Sequence, residues 1–320
     1  MVYSTGPMLY RALGKTGVSI SEVSLGSWLT YGDRVDASVA RSCVLAAFEV
    51  GVNFFDTADV YTGAEAMLGE ALRELPRSEY VVATKCFFPM SKSPLERGLS
   101  RKHVVDSVHR SLRALGTEYV DVMQCHRFDA ETPVEETSRA LEDLVTQGKI
   151  LYWGVSRWTA PQLREAAAVA GRAGWRGPVV SQVPYNMLYR EFEAEVLPAA
   201  RELGMGSVVY SPLAQGVLSG KYIKGVVAGS RAGDAELAKT MHQLNPASVA
   251  RVERLRPIAR ELEMPLARLA LAWCLRRPEV TSVITGASRP DQIRENALAS
   301  GAVIPPEALQ RIDAILGETT

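Results

Sequence analysis

The sequence predicts an α/β protein of the (β/α)8-barrel class, folded as one domain over residues 1–320. Short β-rich runs alternate with helical patterns, and each unit takes roughly 30 residues, which is the repeat length of such barrels. Most of the runs are almost continuously apolar, as is typical of parallel strands covered on both faces. The eight predicted strands are residues 23–27, 53–57, 80–85, 119–126, 150–156, 179–183, 206–211 and 281–285.

The structural alternative is an open, doubly wound parallel sheet. Sheets of that class usually carry a GxGxxG loop after the first strand, where the glycines let the backbone approach a dinucleotide. Here the first strand ends Leu25-Gly26-Ser27-Trp28, without such a loop. The closed barrel is therefore favoured.

Several of the segments between the strands have apolar side chains at helical spacing. The clearest are residues 39–50, 104–115 and 134–145. For the second of these, Ser100 is the predicted N-cap and Gly116 the predicted C-cap. Gly51 and Gly148 are predicted to end the other two.

Three features lie outside the eightfold repeat. Residues 10–13 and 18–20 flank a turn and predict an N-terminal β-hairpin. The segment 212–246 after strand seven is too long for an ordinary loop and is rich in Gly and Ser, so we expect a mobile cover over the barrel mouth. Residues 306–316 predict an extra C-terminal helix.

The composition excludes several classes of protein. The chain has 36 Lys and Arg against 36 Asp and Glu, which argues against a nucleic-acid binder. No apolar run approaches the roughly 20 residues of a membrane helix, and the first residues lack the features of a signal peptide, so a cytoplasmic protein is expected. The four cysteines and four histidines have no CxxC or HExxH spacing, so neither a disulfide framework nor a metal site is expected.

Four polar side chains come at or just after the carboxyl ends of three neighbouring predicted strands. Asp56 and Tyr61 follow the second strand, Lys85 ends the third and His126 ends the fourth. Each alone has an ordinary explanation, such as a helix cap or a solvated lysine. Because active sites of such barrels form where the carboxyl ends of the strands meet, the combination predicts one shared pocket.

Carbonyl reduction is the chemistry that suits these four groups. A carbonyl oxygen that receives a hydride at its carbon also needs a proton, and a phenol with a pKa near 10 is a weak donor. A neighbouring ammonium is expected to lower the pKa of Tyr61, and a carboxylate would hold that ammonium in place. The His126 imidazole could hydrogen-bond the substrate oxygen.

At the level of motifs, the chain resembles the aldo-keto reductases, and most closely the branch with the Shaker-type potassium-channel β subunits and their bacterial relatives. The resemblance runs from about residue 10 to residue 316. It is carried by the segments FDTADVY, RGLSRKH, YVDVMQCH, YWGVSRW, SPLAQGVLSGKY and GASRPDQIREN. It implies a barrel that binds NADP(H) without a Rossmann motif and interconverts aldehydes or ketones with alcohols.

The resemblance also implies residue roles. Asp56, Tyr61, Lys85 and His126 match the catalytic tetrad of the family, with Tyr61 as general acid. The implied cofactor contacts are Ser27, Trp28, Asp56, Ser156, Arg157, Gln182, Tyr210, Ser211, Pro212, Leu213, Ala214, Gln215, Gly216, Lys221, Arg231, Gly286, Ser288, Gln292, Glu295 and Asn296.

Physical reasons support some of these contacts. Tyr210 ends strand seven, where its ring can stack on a nicotinamide, and Ser156 and Gln182 can hydrogen-bond the carboxamide. The segment 286–296 turns from a strand into a helix, whose N-terminus suits a phosphate.

A preference for NADPH follows from the groups available to its 2′-phosphate. Ser288, Arg289 and Gln292 supply a hydroxyl, a guanidinium and an amide at the start of this helix, and Arg231 could close over the same phosphate. Lys221 is placed to reach the pyrophosphate. Arg289 is therefore added to the predicted cofactor contacts.

The predicted substrate pocket is partly aromatic. Its rim would consist of Trp28, Tyr31, Phe87, Phe88, Arg127, Phe128 and Trp158. Core or interface packing is the alternative role for these side chains. The substrate is predicted to be a small carbonyl compound or alcohol of unspecified identity, and the RGLSRKH segment resembles the tetramer-forming branch, which suggests a homotetramer.

A redox-sensing subunit, whose bound nicotinamide modulates a partner protein, is the rival function. The resemblance implies an amide-bearing residue in the animal channel subunits where this chain has His126. Only nine residues precede Tyr10, which leaves no room for a long channel-blocking extension. Both features favour an enzyme.

Overall fold

Eight parallel strands close into a barrel in the computed structural model, which describes residues 8–28 and 36–317. The strands are β1 (Tyr10–Ala12), β2 (Ser19–Ser21), β3 (Val23–Gly26), β4 (Phe54–Asp56), β5 (Val81–Cys86), β6 (Val120–Cys125), β7 (Ile150–Ser156), β8 (Val180–Pro184), β9 (Gly206–Tyr210) and β10 (Val280–Thr285). Strands β3 to β9 pair in chain order, and β10 pairs with both β9 and β3 to close the barrel. The predicted barrel is confirmed.

At least one helix follows each barrel strand along the chain. The helices are α1 (Ala37–Glu49), α2 (Ala64–Leu72), α3 (Arg101–Leu115), α4 (Val134–Thr146), α5 (Ala160–Ala173), α6 (Val196–Glu202), α7 (Ala235–Ala238), α8 (Pro246–Glu261), α9 (Leu266–Leu275), α10 (Pro290–Ala297) and α11 (Pro306–Gly317). In the part of the chain that the structure describes, no helix is long and apolar enough to cross a membrane.

Every predicted strand boundary falls within one residue of the observed one. The small differences matter at the barrel mouth, because β3, β6 and β9 each end one residue earlier than predicted. Ser27, His126 and Ser211 are therefore the first residues beyond their strands. The N–H of Ser27 still donates to the Asp56 carbonyl, and that of His126 to the Cys86 carbonyl, both at 2.9 Å. The backbone at these two positions is thus held against the neighbouring strand.

The helix ends follow the local sequence. The Ser100 side chain accepts a hydrogen bond from the backbone of α3, as predicted, and Gly116 ends that helix with φ +64°. Gly51 and Gly148, just past α1 and α4, have φ values of +86° and +69°. Glycine adopts this left-handed conformation without the steric cost that a Cβ atom brings.

The interior of the barrel changes from apolar to polar along its length. Inward-facing side chains recur every second residue along a strand. In β5, Val81 and Ala83 lie in the apolar layers, and Lys85 follows at the mouth. The apolar interior comprises Leu13, Ile20, Phe54, Val81, Ala83, Val122, Val180, Val208 and Ile284. Because Leu13 and Ile20 adjoin strands β1 and β2, the N-terminal hairpin closes the end of the barrel opposite the polar mouth.

The long segment 212–246 contains more regular structure than a loop. It includes the 3-10 turns Ala214–Ser219 and Arg231–Gly233 and helix α7. The Arg231 guanidinium lies over the Trp28 ring, 5.8 Å from its centroid, so this segment packs beside the carboxyl end of β3. Its expected mobility stays a prediction. The extra C-terminal helix is confirmed as α11, where Arg311 pairs with Glu261 of α8.

Candidate active site

The predicted acid and ammonium form a buried ion pair at the barrel mouth. The Lys85 Nζ donates to Asp56 Oδ1 at 2.5 Å and to the Thr57 carbonyl at 2.7 Å. Both side chains are almost entirely shielded from solvent. Burial lowers the pKa of Lys85, and the Asp56 carboxylate opposes that shift. The strand ends thus bring together two groups that are 29 residues apart in the sequence.

Two amides complete the environment of Asp56. Gln182 Nε2 donates to Asp56 Oδ2 at 2.8 Å, and Gln124 Nε2 lies 3.4 Å from the same oxygen. The Gln182 N–H group thus holds the carboxylate, and the expected contact of Gln182 with a nicotinamide carboxamide stays a prediction. The sequence analysis did not include Gln124, although a glutamine in the apolar run of β6 was a visible signal.

Tyr61 and His126 face each other beside this ion pair. Their rings meet edge to face with centroids 5.8 Å apart, and Lys85 Nζ lies 5.4 Å from the centroid of the Tyr61 ring. All four residues of the predicted tetrad are therefore neighbours. Their roles in catalysis stay a prediction.

The protonation states differ from expectation at Tyr61. Burial and the Asp56 carboxylate raise the pKa of Tyr61 well above its ordinary value, whereas the sequence suggested that Lys85 would lower it. The Arg127 charge opposes this rise, but burial and Asp56 outweigh it. Burial, Lys85 and Arg127 together lower the pKa of His126 to about 2. At neutral pH the site therefore presents a protonated phenol and a neutral imidazole.

The backbone at several predicted cofactor positions is strained. Within the described residues, five non-glycine residues have positive φ, and four of them are predicted cofactor contacts. These four are Arg157, Ser211, Ala214 and Gln215, with φ between +47° and +56°. Such conformations cluster at ligand sites, where the surrounding structure enforces them.

Ser156 offers a polar atom that the fold leaves without a hydrogen-bond partner. Its side-chain oxygen is buried at the carboxyl end of β7, and no described residue pairs with it. A buried hydroxyl of this kind is costly unless a ligand or water satisfies it. Tyr210 lies half-buried at the end of β9. Its hydroxyl oxygen accepts a hydrogen bond from the Arg157 guanidinium. This pocket therefore fits the polar edge and face of a nicotinamide ring.

The predicted phosphate-binding segment lies between β10 and α10. The Ser288 N–H donates to Gln292 Oε1 at 2.8 Å, and Arg289 is the N-cap residue of α10. Glu295 is exposed on this helix and Asn296 is buried. The remaining predicted contacts Pro212, Leu213, Gly216, Lys221 and Gly286 lie in the segments that follow β9 and β10. Ser288 and Gln292 are thus hydrogen-bonded at the start of α10, with Arg289 between them in the sequence, and their role in binding a phosphate stays a prediction.

The predicted substrate rim is only partly assembled around the tetrad. The Phe88 ring packs on His126 with centroids 4.9 Å apart, and the Arg127 guanidinium lies 5.3 Å from the Phe88 centroid. Phe87 packs on Phe88 at 5.3 Å. A separate pair, Phe128 and Trp158, meets at 4.9 Å, and Trp158 is only 1% exposed, so it packs in the core. Tyr31 lies outside the described residues.

A second pair of buried acids lies close to the tetrad and was missed in the sequence. Burial and the neighbouring Glu65 raise the pKa of Asp59 to about 7. Glu65 accepts a hydrogen bond from Thr84 Oγ1 at 2.6 Å. Over residues 8–28 and 36–317, no group of three His, Cys, Asp or Glu side chains is placed to hold a metal ion.

Comparison with known proteins agrees with this geometry. Residues 22–317 match the model of the aldo/keto reductase family, whose members generally use a nicotinamide nucleotide. The chain is 43% identical over 318 residues to a probable voltage-gated potassium channel subunit beta from Oryza sativa, covering 97% of both chains. A probable subunit of the same name from Arabidopsis thaliana shows the same identity and coverage.

A putative voltage-gated potassium channel subunit beta from Schizosaccharomyces pombe is 40% identical over 327 residues, covering 97% of this chain and 94% of the relative. The closed parallel barrel, the family match and these full-length similarities agree with one another. The protein belongs to the aldo/keto reductase family, in which it is similar to proteins named as potassium channel β subunits.

Proposed function

We propose that this protein is an NADPH-dependent oxidoreductase that reduces aldehydes or ketones to alcohols, reversibly, with Tyr61 as the proton donor. The observation that supports this best is the arrangement of the tetrad. The buried Asp56–Lys85 pair lies beside a protonated phenol, and a neutral imidazole faces that phenol across 5.8 Å. Asp56, Tyr61, Lys85 and His126 are the proposed catalytic residues.

The nucleotide, when bound, supplies the hydride that adds to the carbonyl carbon. The carboxamide would be held by Ser156, where a buried hydroxyl has no protein partner among the described residues. Tyr210 would contact the face of the nicotinamide ring. Ser288, Arg289 and Gln292 would hold the 2′-phosphate at the start of α10, which is the basis for proposing NADPH over NADH.

Residues of the protein hold the proton and would donate it to the carbonyl oxygen. The Tyr61 hydroxyl stays protonated because burial and Asp56 raise its pKa. The same shift makes the phenol a weaker acid, so donation to a carbonyl oxygen requires that nearby cations stabilise the phenolate that it leaves. His126 stays neutral, and a neutral imidazole carries one N–H, which can donate to the same oxygen. After donation, two cations are placed to stabilise the phenolate: the Lys85 ammonium, 5.4 Å from the ring centroid, and the Arg127 guanidinium, whose charge lowers the pKa of Tyr61.

Replacing Tyr61 with phenylalanine tests the role of this phenol. The variant keeps the ring that packs on His126 and loses only the hydroxyl. We expect kcat for a generic aldehyde with NADPH to fall by about 10²-fold or more, the usual scale of general acid catalysis, with NADPH affinity nearly unchanged. Tyr80→Phe, at a buried tyrosine just before β5 and outside the mouth, is the matched control. If reduction survives in Tyr61→Phe within a few-fold of the parent, Tyr61 is not the proton donor.

A redox-sensing subunit is the second candidate, because the similar proteins from rice, Arabidopsis and fission yeast are named as channel subunits. Steady-state kinetics separates the two functions. Rapid multiple turnovers of an aldehyde with NADPH support the enzyme. A single slow turnover, after which the oxidised nucleotide stays bound, supports the sensor.

The remaining features of the proposal concern the molecule as a whole. We propose one domain over residues 1–320, a cytoplasmic location, a small-molecule substrate and a homotetramer. Light scattering coupled to gel filtration measures the oligomeric state directly. A mass of one chain would contradict the tetramer without affecting the proposed chemistry.

A further inference from the structure

The Arg127 guanidinium and the tetrad residue His126 both contact the ring of Phe88. Arg127 directly follows His126 at the carboxyl end of β6. Its guanidinium carbon lies 5.3 Å from the centroid of the Phe88 ring, and the His126 ring contacts the same ring with centroids 4.9 Å apart. Burial of the Arg127 side chain is partial, so the charge is close to the reaction centre and still accessible from the mouth.

No described carboxylate forms an ion pair with Arg127. Its hydrogen bond is from Nη1 to the carbonyl oxygen of His126, at 2.5 Å. The other titratable side chains near it are Tyr210, Arg157 and Tyr61, none of which is a carboxylate. The acid next along the chain, Asp129, is occupied by the Leu99 N–H and the Thr132 hydroxyl.

Two other arginines at the same end of the barrel, Arg97 and Arg101, have acidic partners. Arg97 lies 3.9 Å from Glu131, and Arg101 pairs with Asp143 at 2.6 Å. Within the tetrad, the Lys85 charge is matched by Asp56. Partial burial of a guanidinium without a carboxylate is unfavourable unless another anion completes the site. The mouth therefore presents a positive charge that the described protein does not neutralise.

We propose that the preferred substrate is an aldehyde or ketone that also carries a carboxylate or phosphate group, and that Arg127 binds this group. The inference rests on the proposed carbonyl reduction and specifies its substrate class. Tyr61 and His126 would hold the carbonyl oxygen, and the guanidinium, beside Phe88, would bind the anion at the other end of the substrate. A planar guanidinium donates two parallel hydrogen bonds to either anion.

Two matched substrate pairs test the proposal and distinguish the two anions. The first is 4-carboxybenzaldehyde against methyl 4-formylbenzoate, and the second is glycolaldehyde phosphate against glycolaldehyde. For each pair, kcat/KM with NADPH is measured in the parent, Arg127→Gln, Arg127→Lys and Arg97→Gln. Arg97→Gln is the control, since it removes a cation from the same end of the barrel, outside the site.

The parent should prefer the anionic member of at least one pair by roughly 10- to 100-fold, mainly through KM, as a charge-assisted contact provides. The pair that shows the preference identifies the anion. Arg127→Gln should abolish the preference, Arg127→Lys should retain part of it, and Arg97→Gln should retain nearly all of it. An equal loss for the anionic and neutral members in Arg127→Gln, or no preference in the parent, overturns the inference and leaves carbonyl reduction standing.

A binding measurement keeps the test independent of turnover. Isothermal titration of 4-carboxybenzaldehyde and of its methyl ester compares parent and Arg127→Gln directly. Tighter binding of the carboxylate to the parent, lost in the variant, supports the anion site even if no carbonyl is reduced, in which case only the proposed reaction fails. Equal binding of the two compounds by the parent contradicts a carboxylate site, and the same titration with glycolaldehyde phosphate and glycolaldehyde then decides for phosphate.

Discussion

Replacing Lys85 with methionine removes the ammonium of the buried ion pair and nearly conserves side-chain volume. The charges are 2.5 Å apart, and the Lys85 and Asp56 side chains are 1% and 6% exposed. Coulomb's law gives an attraction of roughly 6–7 kcal/mol at this distance for an effective dielectric constant of about 20. Desolvation of both ions offsets much of that attraction in the parent. In the variant, however, the carboxylate stays buried without its counter-ion.

The two amides that contact Asp56 can reduce this cost but cannot neutralise the charge. Gln182 lies at 2.8 Å and Gln124 at 3.4 Å from the second carboxylate oxygen. We therefore expect the free energy of unfolding of Lys85→Met to fall by about 3–5 kcal/mol, the usual cost of breaking a buried pair. Adding Asp56→Asn should recover at least half of the loss, because a neutral amide needs no counter-ion.

Urea unfolding of the nucleotide-free protein, followed by circular dichroism and tryptophan fluorescence, measures these differences. Lys102→Met is the matched control. Its ammonium pairs with Asp106 at 2.8 Å on the exposed side of α3, so its loss should cost under about 1 kcal/mol. The reasoning is refuted if Lys85→Met loses no more stability than Lys102→Met, or if the double variant is as unstable as the single one.

Three further predictions concern the site and its surroundings. His126→Asn should lower kcat and leave NADPH affinity nearly unchanged. Steady-state kinetics measures kcat, and a fluorescence titration measures the affinity for NADPH. Lost affinity with retained kcat would show that His126 has a structural role. Arg289→Ala should weaken NADPH binding by about 10- to 100-fold and NADH binding little, measured by isothermal titration, whereas equal losses would exclude contact with the 2′-phosphate. The pKa of Asp59 is about 7 in the folded state and 3.8 in the unfolded chain. Between these pH values the folded state therefore binds a proton that the unfolded state has lost. The free energy of unfolding of the parent falls as pH rises through this window. Asp59→Asn should therefore raise the free energy of unfolding at pH 8, by at most about 4 kcal/mol for roughly three pKa units, and little at pH 4, in thermal melts at both pH values.

The barrel and the membership of the tetrad were predictable from the sequence. Apolar runs of five to eight residues, spaced by helical patterns, predict parallel strands through local periodicity alone. Because parallel strands all end at one face, residues at the ends of three of them were expected to meet there. The pair Asp56 and Lys85, 29 residues apart, met as expected. The caps Ser100 and Gly116 were equally local, because each acts within one helical turn.

The tertiary structure alone decided how these side chains are partnered and protonated. Gln182 meets Asp56 across 126 residues of sequence, which no local pattern predicts. The pKa of Tyr61 was expected to fall beside Lys85 and instead rises, because burial and Asp56 outweigh the opposing charge of Arg127. The fold places Glu131 near Arg97, whereas no described carboxylate forms an ion pair with the partly buried Arg127. Residue types and periodicity are local properties of the chain, whereas solvent exclusion and the choice of partner arise only when distant segments pack.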